Sequence, residues 1–256
     1  MRRSTDDLAD SAEAATEDDG RLLSARIADE IRSAVLSGEM RAGMRVRQEK
    51  LAGKFGASRI PVREALRQLE SEGLVVLAPN RGAWIADSSS EESIEIYKIR
   101  EVVEPLAISE SVPLMTEADI ATLTEIVREL ERIPKVEEYI QLDRIFHLKT
   151  YARAPMPQLL SMVERFWNSS QHFRRRFVKD SLAKDGFPFS DPHHLLLLEM
   201  IKSRDAEGAR SIVHLHIRRT RLLIQKMDIE QRASSTDSTS GHRGSRFASP
   251  PRGGRP

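Results

Sequence analysis

Apolar residues recur every three or four positions through most of the chain, which is the spacing of amphipathic helices. The first helix is marked by Leu23, Ile27, Ile31 and Val35. The Ser37–Gly38 pair ends it, and a turn with Gly43 leads to a short helix near residues 48–55. A third helix starts after Ser58, which can serve as its N-cap. Its apolar face consists of Val62, Leu66 and Leu69.

Two short apolar runs follow, over residues 74–78 and 83–86, separated by the turn sequence Pro79-Asn80-Arg81-Gly82. Such runs on either side of a turn predict a β-hairpin. Three helices followed by a hairpin, in about 65 residues, are typical of a winged helix-turn-helix. We therefore predict this fold for residues 21–86.

Residues 87–230 are helical in pattern throughout and predict an all-α bundle of six or seven helices. The predicted helices span 91–111, 117–132, 136–153, 156–180, 192–203 and 205–227. Thr116 and Asp119 have the spacing of a capping box, and Asp191 precedes a first-turn proline, Pro192. The expected fold class is thus mostly α, with a winged helix-turn-helix before a helical bundle.

Charge is distributed unevenly along the chain, although the formal net charge is only +1. The net charges are −5 for residues 1–20, +5 for 21–86, −3 for 87–230 and +4 for 231–256. A near-neutral total argues against nucleic-acid binding, but the basic excess lies in the predicted winged helix. Both end segments lack apolar periodicity, and we predict an acidic disordered tail over 1–20 and an Arg/Ser/Gly/Pro-rich disordered tail over 231–256.

The composition removes several classes of function. Zero cysteines exclude a disulfide scaffold, a thiol nucleophile, an iron–sulfur cluster and a Cys-type zinc finger. No apolar run approaches the ~20 residues that a membrane-spanning helix needs, and the N-terminus has no signal-peptide pattern. We expect a cytoplasmic protein without a membrane partner, in which any metal is held by His, Asp or Glu.

The third helix carries three arginines, Arg59, Arg63 and Arg67, at successive four-residue intervals. They share one face, and guanidinium groups suit both phosphate and the edge of guanine in the major groove. The alternative is a solvated face, in which neighbouring glutamates balance the arginines. The preceding helix, the tight turn and a following hairpin with Arg81 at its tip favour DNA binding.

Residues 22–86 resemble the N-terminal domain of GntR-superfamily transcriptional regulators, above all in the segment from Gly56 to Val75 and in the turn Pro79–Gly82. The resemblance implies that Arg59 and Arg63 contact operator DNA and that Arg81 and Gly82 carry the wing into the minor groove. Glu49 stands where the family often has a DNA-contacting arginine. The predicted DNA-binding residues are Arg47, Ser58, Arg59, Pro61, Arg63, Arg67, Arg81 and Gly82, with Arg45 and Lys50 as further candidates for phosphate contact.

The helical half contains candidate metal ligands. Asp143 and His147 lie four residues apart, so that a carboxylate and an imidazole share one helix face. In the last helix His216 falls on the apolar face and His214 on the polar face. An inward histidine in a bundle is more often a core residue than a ligand, yet several inward candidates from different helices favour a metal site.

Two further histidines, His193 and His194, open a helix that is apolar all round, and periodicity does not choose between them. Imidazoles with one carboxylate and no sulfur suit Zn²⁺, Ni²⁺, Mn²⁺ or Fe²⁺. A site of this kind with open positions can also accept an anionic oxygen from a ligand.

The helical half resembles the FCD effector domain, found in the fatty-acid-regulator branch of the same superfamily. The resemblance rests on Asp143 with Phe146 and His147, on His194, and on the segment from Asp205 to His216. It implies a divalent metal ion on Asp143, His147, His194 and His216, with a small carboxylate completing the coordination. It also implies that Arg100 binds the effector carboxylate, and it selects His194 over His193.

We therefore expect a transcriptional regulator and not an enzyme, most often a repressor in this family, that binds a palindromic operator as a homodimer and senses a small carboxylate. Two alternatives stay open: a constitutive DNA-binding dimer with a structural metal, and a metal-dependent hydrolase or lyase. Four protein ligands leave few open positions for catalysis, and no supported general base is apparent nearby, which argues against the enzyme.

Overall fold

The computed structural model describes the backbone of residues 5–79, 81–185 and 192–240, and the side chains of residues 19–79, 81–180 and 192–229. Its N-terminal part is a head of three helices and a small sheet. The elements are α1 (Thr5–Ser37), β1 (Arg45–Val46), α2 (Gln48–Phe55), α3 (Arg59–Ser71), β2 (Val75–Ala78) and β3 (Gly82–Ile85). This order confirms the predicted winged helix-turn-helix.

The sheet of the head is antiparallel, in the order β1-β3-β2. Val76 pairs with Trp84 in the predicted hairpin, and Arg45 also pairs with Trp84 from the other side. Strand β1 was not expected, because two residues are too few to show a strand periodicity. The core of the head lies between α1, α3 and the sheet, where Ile27, Leu66 and Ile85 are almost fully buried.

The bundle consists of seven helices in the described part of the chain. They are α4 (Ser90–Ser111), α5 (Glu117–Leu130), α6 (Val136–Tyr151), α7 (Pro157–Ser169), α8 (Gln171–Asp185), α9 (Pro192–Lys202) and α10 (Ala206–Ser240), with a 3₁₀ turn at Val112–Leu114. The capping box predicted at Thr116 is present, with Asp119 closing it. Asp191, predicted as the cap of α9, lies outside the described residues.

One predicted helix, 156–180, is in fact two, α7 and α8. The chain leaves helical geometry at Ser170, where φ is −93° and ψ is 0°. The Ser169 and Ser170 hydroxyls both donate to carbonyls of the preceding turn, at 3.0 and 2.7 Å. Serines that bond their own backbone in this way slightly destabilise a helix and favour a bend, and two of them stand together at this break.

The boundaries of the terminal segments also differ from the prediction. Helix α1 begins at Thr5, inside the segment predicted as an acidic disordered tail, and α10 continues to Ser240, beyond the predicted boundary at residue 230. The first segment is rich in alanine and acidic residues, which favour a helix and its N-terminal turn even without apolar periodicity. The remainder of the predicted C-terminal tail, 241–256, lies outside the described residues.

Head and bundle are joined by polar contacts near the α7–α8 break. Asn168 accepts a hydrogen bond from Arg144 at 2.7 Å and donates one to the carbonyl oxygen of Glu72, at the end of α3, at 2.9 Å. Arg175 donates to the carbonyl oxygen of Leu36 at 2.7 Å, at the end of α1. Both bundle residues are buried, so this joint is a packed interface rather than a loose linker.

In the part of the chain that the structure describes, no helix is both long and apolar enough to cross a bilayer.

Candidate functional site

Helix α3 presents its arginines to solvent and its apolar residues to the core of the head. Arg59, Arg63 and Arg67 are all exposed. Pro61, which was placed in the DNA-binding set, is buried with Val62 in the first turn, so its role is to shape that turn and not to offer a surface contact. The predicted stripe of guanidinium groups is therefore available on one face.

The N-terminus of α3 differs in detail from the expectation. Ser58 occupies the N-cap position with extended backbone, but its side chain makes no capping hydrogen bond, which leaves the hydroxyl exposed. The carboxylate of Glu49 lies 3.7 Å from the guanidinium of Arg59, and both side chains are 73% exposed. An ion pair this open to water contributes little to stability, so it does not hold Arg59 away from a phosphate.

The wing is the turn between β2 and β3. Arg81 is exposed at this turn, and Gly82 has a φ of +115°, a conformation that favours glycine. Arg45 donates to the carbonyl oxygen of Arg81 at 3.3 Å and lies 5.8 Å from the ring centre of Trp84. Arg45 thus supports the turn of the wing, while Arg47 is exposed on the neighbouring segment.

Three histidines from three helices of the bundle meet in its interior. The ring centres of His147 on α6, His194 on α9 and His216 on α10 are 4.8 to 5.4 Å apart. One nitrogen from each ring lies within 4.8 Å of one from each of the others. The Nε2 atoms of His147 and His194 are 3.3 Å apart.

The neighbouring His193 is half-buried and stacks edge-on against His216, with ring centres 5.8 Å apart. His214, expected on the polar face, is half-buried too, and its Nδ1 lies 3.1 Å from the carbonyl oxygen of Glu101. Pro105 in α4 has no N–H with which to bond that carbonyl, so the histidine replaces a missing helical partner. His214 therefore has a structural explanation.

Asp143 lies beside His147 and His194 and has a further partner on α8. Its Oδ1 is 3.1 Å from Nε2 of His194 and 3.7 Å from Nε2 of His147, and its Oδ2 accepts a hydrogen bond from Arg174 of α8. Burial lowers the pKa of Arg174 to about 10, which still leaves it charged at neutral pH. The aspartate is thus shared between the histidines and a buried guanidinium.

Arg100, predicted to bind an effector carboxylate, is buried and already paired with Glu104. The two side chains are joined by hydrogen bonds of 2.5 and 3.4 Å, and Tyr151 donates to the same glutamate at 2.8 Å. Burial acts to lower the pKa of Arg100, but the charge of Glu104 raises it above its ordinary value. Nη1 of Arg100 is buried and has no hydrogen-bond partner. One donor of this guanidinium therefore remains to be satisfied.

The histidine cluster borders a cavity of about 110 Å³. It is lined by Arg100 and Arg174, by Asp143 and His216, and by the aromatic side chains of Tyr97, Tyr139, Trp167 and Phe177. The volume is well above the ~10–15 Å³ that one water needs. A small, anionic, partly apolar molecule fits the character of this lining.

The donor set fits a divalent metal ion. Two nitrogens that each lie ~2.0–2.1 Å from one tetrahedral ion must be about 3.3–3.4 Å apart. The two Nε2 atoms of His147 and His194 have this separation, 3.3 Å. A hydrogen bond between neutral imidazoles would account for one such contact, but not for three rings whose nitrogens converge at one point.

Two important residues were missed by the sequence reasoning, Trp167 and Arg174. The centre of the Trp167 ring lies 4.2 Å from the guanidinium of Arg100 and 4.9 Å from that of Arg174. The sequence hides their position, because its periodicity predicts a single helix over 156–180 and the break at Ser170 changes the direction in which α8 faces. Arginines in a run of three carry no sign of which one faces the cavity.

Two family models match this chain. A model described as "Bacterial regulatory proteins, gntR family" matches residues 23–85, which form the head. A model described as "FCD domain" matches residues 95–219, which contain the histidine cluster and most of the residues that line the cavity. Together they cover most of the described residues.

Individual relatives agree with the two models. The HTH-type transcriptional regulator McbR of Escherichia coli (strain K12) is 28% identical over 194 residues, which is 73% of this chain and 86% of that protein. The gluconate operon transcriptional repressor of Bacillus subtilis (strain 168) is 26% identical over 189 residues, 70% of this chain and 76% of the relative. The solved structure of E. coli McbR/YncC has a TM-score of 0.66 at 25% identity and covers 80% of this chain and 98% of that structure. The relatives are transcriptional regulators and not enzymes, and the chain belongs to the GntR family of bacterial transcriptional regulators, with an FCD domain behind its DNA-binding head.

Proposed function

We propose that this transcriptional regulator binds a two-fold symmetric operator as a homodimer, acts as a repressor, and changes its affinity for DNA when a small carboxylate binds in the FCD domain. The observation that carries the proposal is the cavity beside the histidine cluster, since its wall combines possible metal ligands with a buried, incompletely bonded guanidinium. A bundle whose only task is dimerisation does not need such groups, because buried charges cost stability.

The groups that would hold a divalent ion are His147, His194, His216 and Asp143. When bound, the ion supplies Lewis acidity and a positive charge toward a carboxylate oxygen. Its identity, among zinc, nickel, manganese and iron, follows from availability as much as from these ligands. The unbonded Nη1 of Arg100 is suited to a second contact with the same carboxylate.

DNA binding rests on the exposed face of α3 and on the wing. We assign the major-groove contacts to Arg59, Arg63 and Arg67, and the minor-groove contact to Arg81 and Gly82 at the wing. Arg47 and Ser58, which are both exposed, are assigned to phosphate contacts. A palindromic operator requires two such heads, about one turn of DNA apart.

A second copy of the chain has a face on which it can pack. Helix α4 exposes Ile99, Val102 and Leu106, and α10 exposes Leu215 and Leu222. These positions recur every three, four or seven residues, so they form apolar stripes along two helices that pack against each other. Apolar stripes on the outside of a bundle mark an interaction surface, and we assign this one to the homodimer.

The experiment that tests the proposal is operator binding in the presence of acids. A duplex selected from random sequence by the purified protein is labelled, and its affinity is measured by fluorescence anisotropy with protein that is metal-loaded or chelator-treated. We expect small carboxylates to change affinity about 5–150-fold with the loaded protein only, as for an allosteric coupling of 1–3 kcal/mol. An unchanged affinity with every acid would favour the constitutive DNA-binding dimer with a structural metal.

A further inference from the structure

We propose that the effector is a small dicarboxylate and that Arg174 binds its second carboxylate. The inference rests on the proposed function and gives the class of ligand more narrowly. Three arginines from three helices line the cavity, Arg100 of α4, Arg174 of α8 and Arg219 of α10. One carboxylate of a ligand does not require so many cationic partners.

The two buried arginines that line the cavity, Arg100 and Arg174, differ in their partners. Arg100 is matched by Glu104, which lies four residues further along the same helix and also accepts a hydrogen bond from Tyr151. Arg174 is matched by Asp143 and by the carbonyl oxygen of Ile140 at 3.3 Å. Within the described residues, Asp143 is the only carboxylate paired with Arg174.

The single negative charge of Asp143 cannot fully balance both Arg174 and a bound metal ion. Its Oδ1 faces Nε2 of His194 at 3.1 Å, so the same carboxylate belongs to the donor set proposed for the ion. Once that charge is shared with a divalent ion, Arg174 lacks a full counter-charge while it is still only 7% exposed. A buried guanidinium in this position needs a new anion.

Counting the charges around the metal-loaded cavity indicates how many negative charges a ligand must bring. Two arginines and a divalent ion are opposed by Glu104 and Asp143, which leaves an excess of about two positive charges, and buried sites are stable when such charges are paired. A monocarboxylate removes one of them, and a dicarboxylate removes both. Arg219, which is exposed at the edge of the cavity, adds further positive potential that favours an anionic ligand.

The positions of the two guanidinium groups are fixed before any ligand binds. Trp167 holds both, with its ring centre 4.2 Å from Arg100 and 4.9 Å from Arg174, and its ring also lies 5.4 Å from that of His147. Cation–π contacts of this kind order long side chains that would otherwise lose rotamer entropy on binding. The cavity is therefore arranged for two anionic groups at separate points.

The test compares acids that differ only in the second carboxylate. Metal-loaded protein is titrated by calorimetry with malonate, succinate and glutarate, and with propionate, butyrate and valerate as matched monocarboxylates. We expect the best dicarboxylate to bind roughly 10–100-fold more tightly than the monocarboxylate of the same chain length, because one charge-assisted contact is gained. In Arg174→Gln this advantage should disappear while the monocarboxylate affinity stays within about threefold.

Two variants control for folding and for charge. Arg175→Gln changes the next residue of α8, which contacts Glu137 and Leu36 and does not line the cavity, and it should keep the preference for dicarboxylates. Arg174→Lys keeps the charge and should retain part of the preference. Metal content, measured by mass spectrometry, should stay near one ion per chain in all three variants.

Each outcome bears on one proposal. Equal binding of mono- and dicarboxylates by the wild-type protein overturns the inference and leaves carboxylate sensing in place. An Arg174→Gln variant that folds, holds metal and keeps the preference also overturns it. Failure of every acid to bind overturns carboxylate sensing itself.

Discussion

The contact between head and bundle at Gly73 gives a prediction whose size follows from the structure. Gly73 follows α3 with a φ of +78°, and a Cβ placed on it would lie 3.1 Å from both Cγ and the carbonyl oxygen of Arg165 in α7. Gly56 follows α2 with a φ of +59° and has nothing within 4 Å of the same position. The pair therefore separates the cost of the backbone conformation from the cost of the contact.

Both substitutions place alanine in a left-handed backbone conformation, which destabilises the native state by roughly 1–2 kcal/mol for a residue with a Cβ. Part of this is offset, by about 0.4–1 kcal/mol, because alanine restricts the unfolded chain more than glycine does. Gly73→Ala also forces an atom against a carbonyl oxygen that cannot rotate away, and overpacking of this kind costs about 1–3 kcal/mol. We expect about 1 kcal/mol or less for Gly56→Ala and about 2–4 kcal/mol for Gly73→Ala.

Thermal unfolding followed by circular dichroism measures the difference. At about 2–4 °C per kcal/mol for a chain of this size, Gly73→Ala should unfold several degrees below Gly56→Ala. Hydrogen exchange should show faster exchange in α7 for Gly73→Ala only, because the contact crosses to that helix. Equal destabilisation by the two substitutions, with exchange in α7 unaffected, would refute the inference that the head packs tightly against the bundle at Gly73.

Three further predictions concern the DNA face, the histidines and pH. Arg63→Ala should weaken operator binding by about 1–3 kcal/mol in fluorescence anisotropy without loss of the fold, and unchanged affinity would contradict the assignment of α3. Changing His147 and His216 together to alanine should abolish bound metal by mass spectrometry, while His193→Ala retains it; a full complement of metal in the double variant would exclude this ligand set. Burial lowers the pKa of His172 to about 4, from an ordinary value of 6.5. The native state therefore favours the neutral His172 ring, whereas the unfolded chain binds a proton there below about pH 6.5. The contribution of this residue to the free energy of unfolding is thus fully present above about pH 6.5 and falls by about 2 kcal/mol on going to pH 5. A His172→Gln variant should lack that part of the pH dependence of thermal unfolding, and identical curves would contradict it.

The head was predicted nearly completely, because its signals are local. Apolar spacing, the Gly56-Ala57-Ser58 connection and the Pro79–Gly82 turn determine three helices and a hairpin without long-range information. Only β1 was missed, since its pairing with β3 is set by the fold of the whole head and not by its own two residues. Pro61 was misassigned because a family motif does not distinguish a residue that shapes a turn from one that touches a ligand.

The candidate site was predicted in its parts but not in its connections. Asp143, His147, His194 and His216 were chosen from spacing and resemblance, and the three histidines among them do lie together. The partner of Asp143 was not foreseen, because Arg174 comes from a helix whose direction depends on the break at Ser170. Side-chain pairs between distant helices depend on packing, which periodicity in a single sequence does not encode.

The break at Ser170 also explains how one short segment can serve the cavity and the joint at once. On either side of it, consecutive residues face different neighbours: Trp167 and Arg174 line the cavity, whereas Asn168 and Arg175 bond the ends of α3 and α1. Consecutive residues of a helix point about 100° apart but share one backbone. Under the proposed function, a ligand carboxylate that binds Arg174 therefore acts on the backbone that also carries Arg175. Because that backbone is packed on both sides, we expect its displacement to reach α1 and to change the orientation of the DNA-binding head.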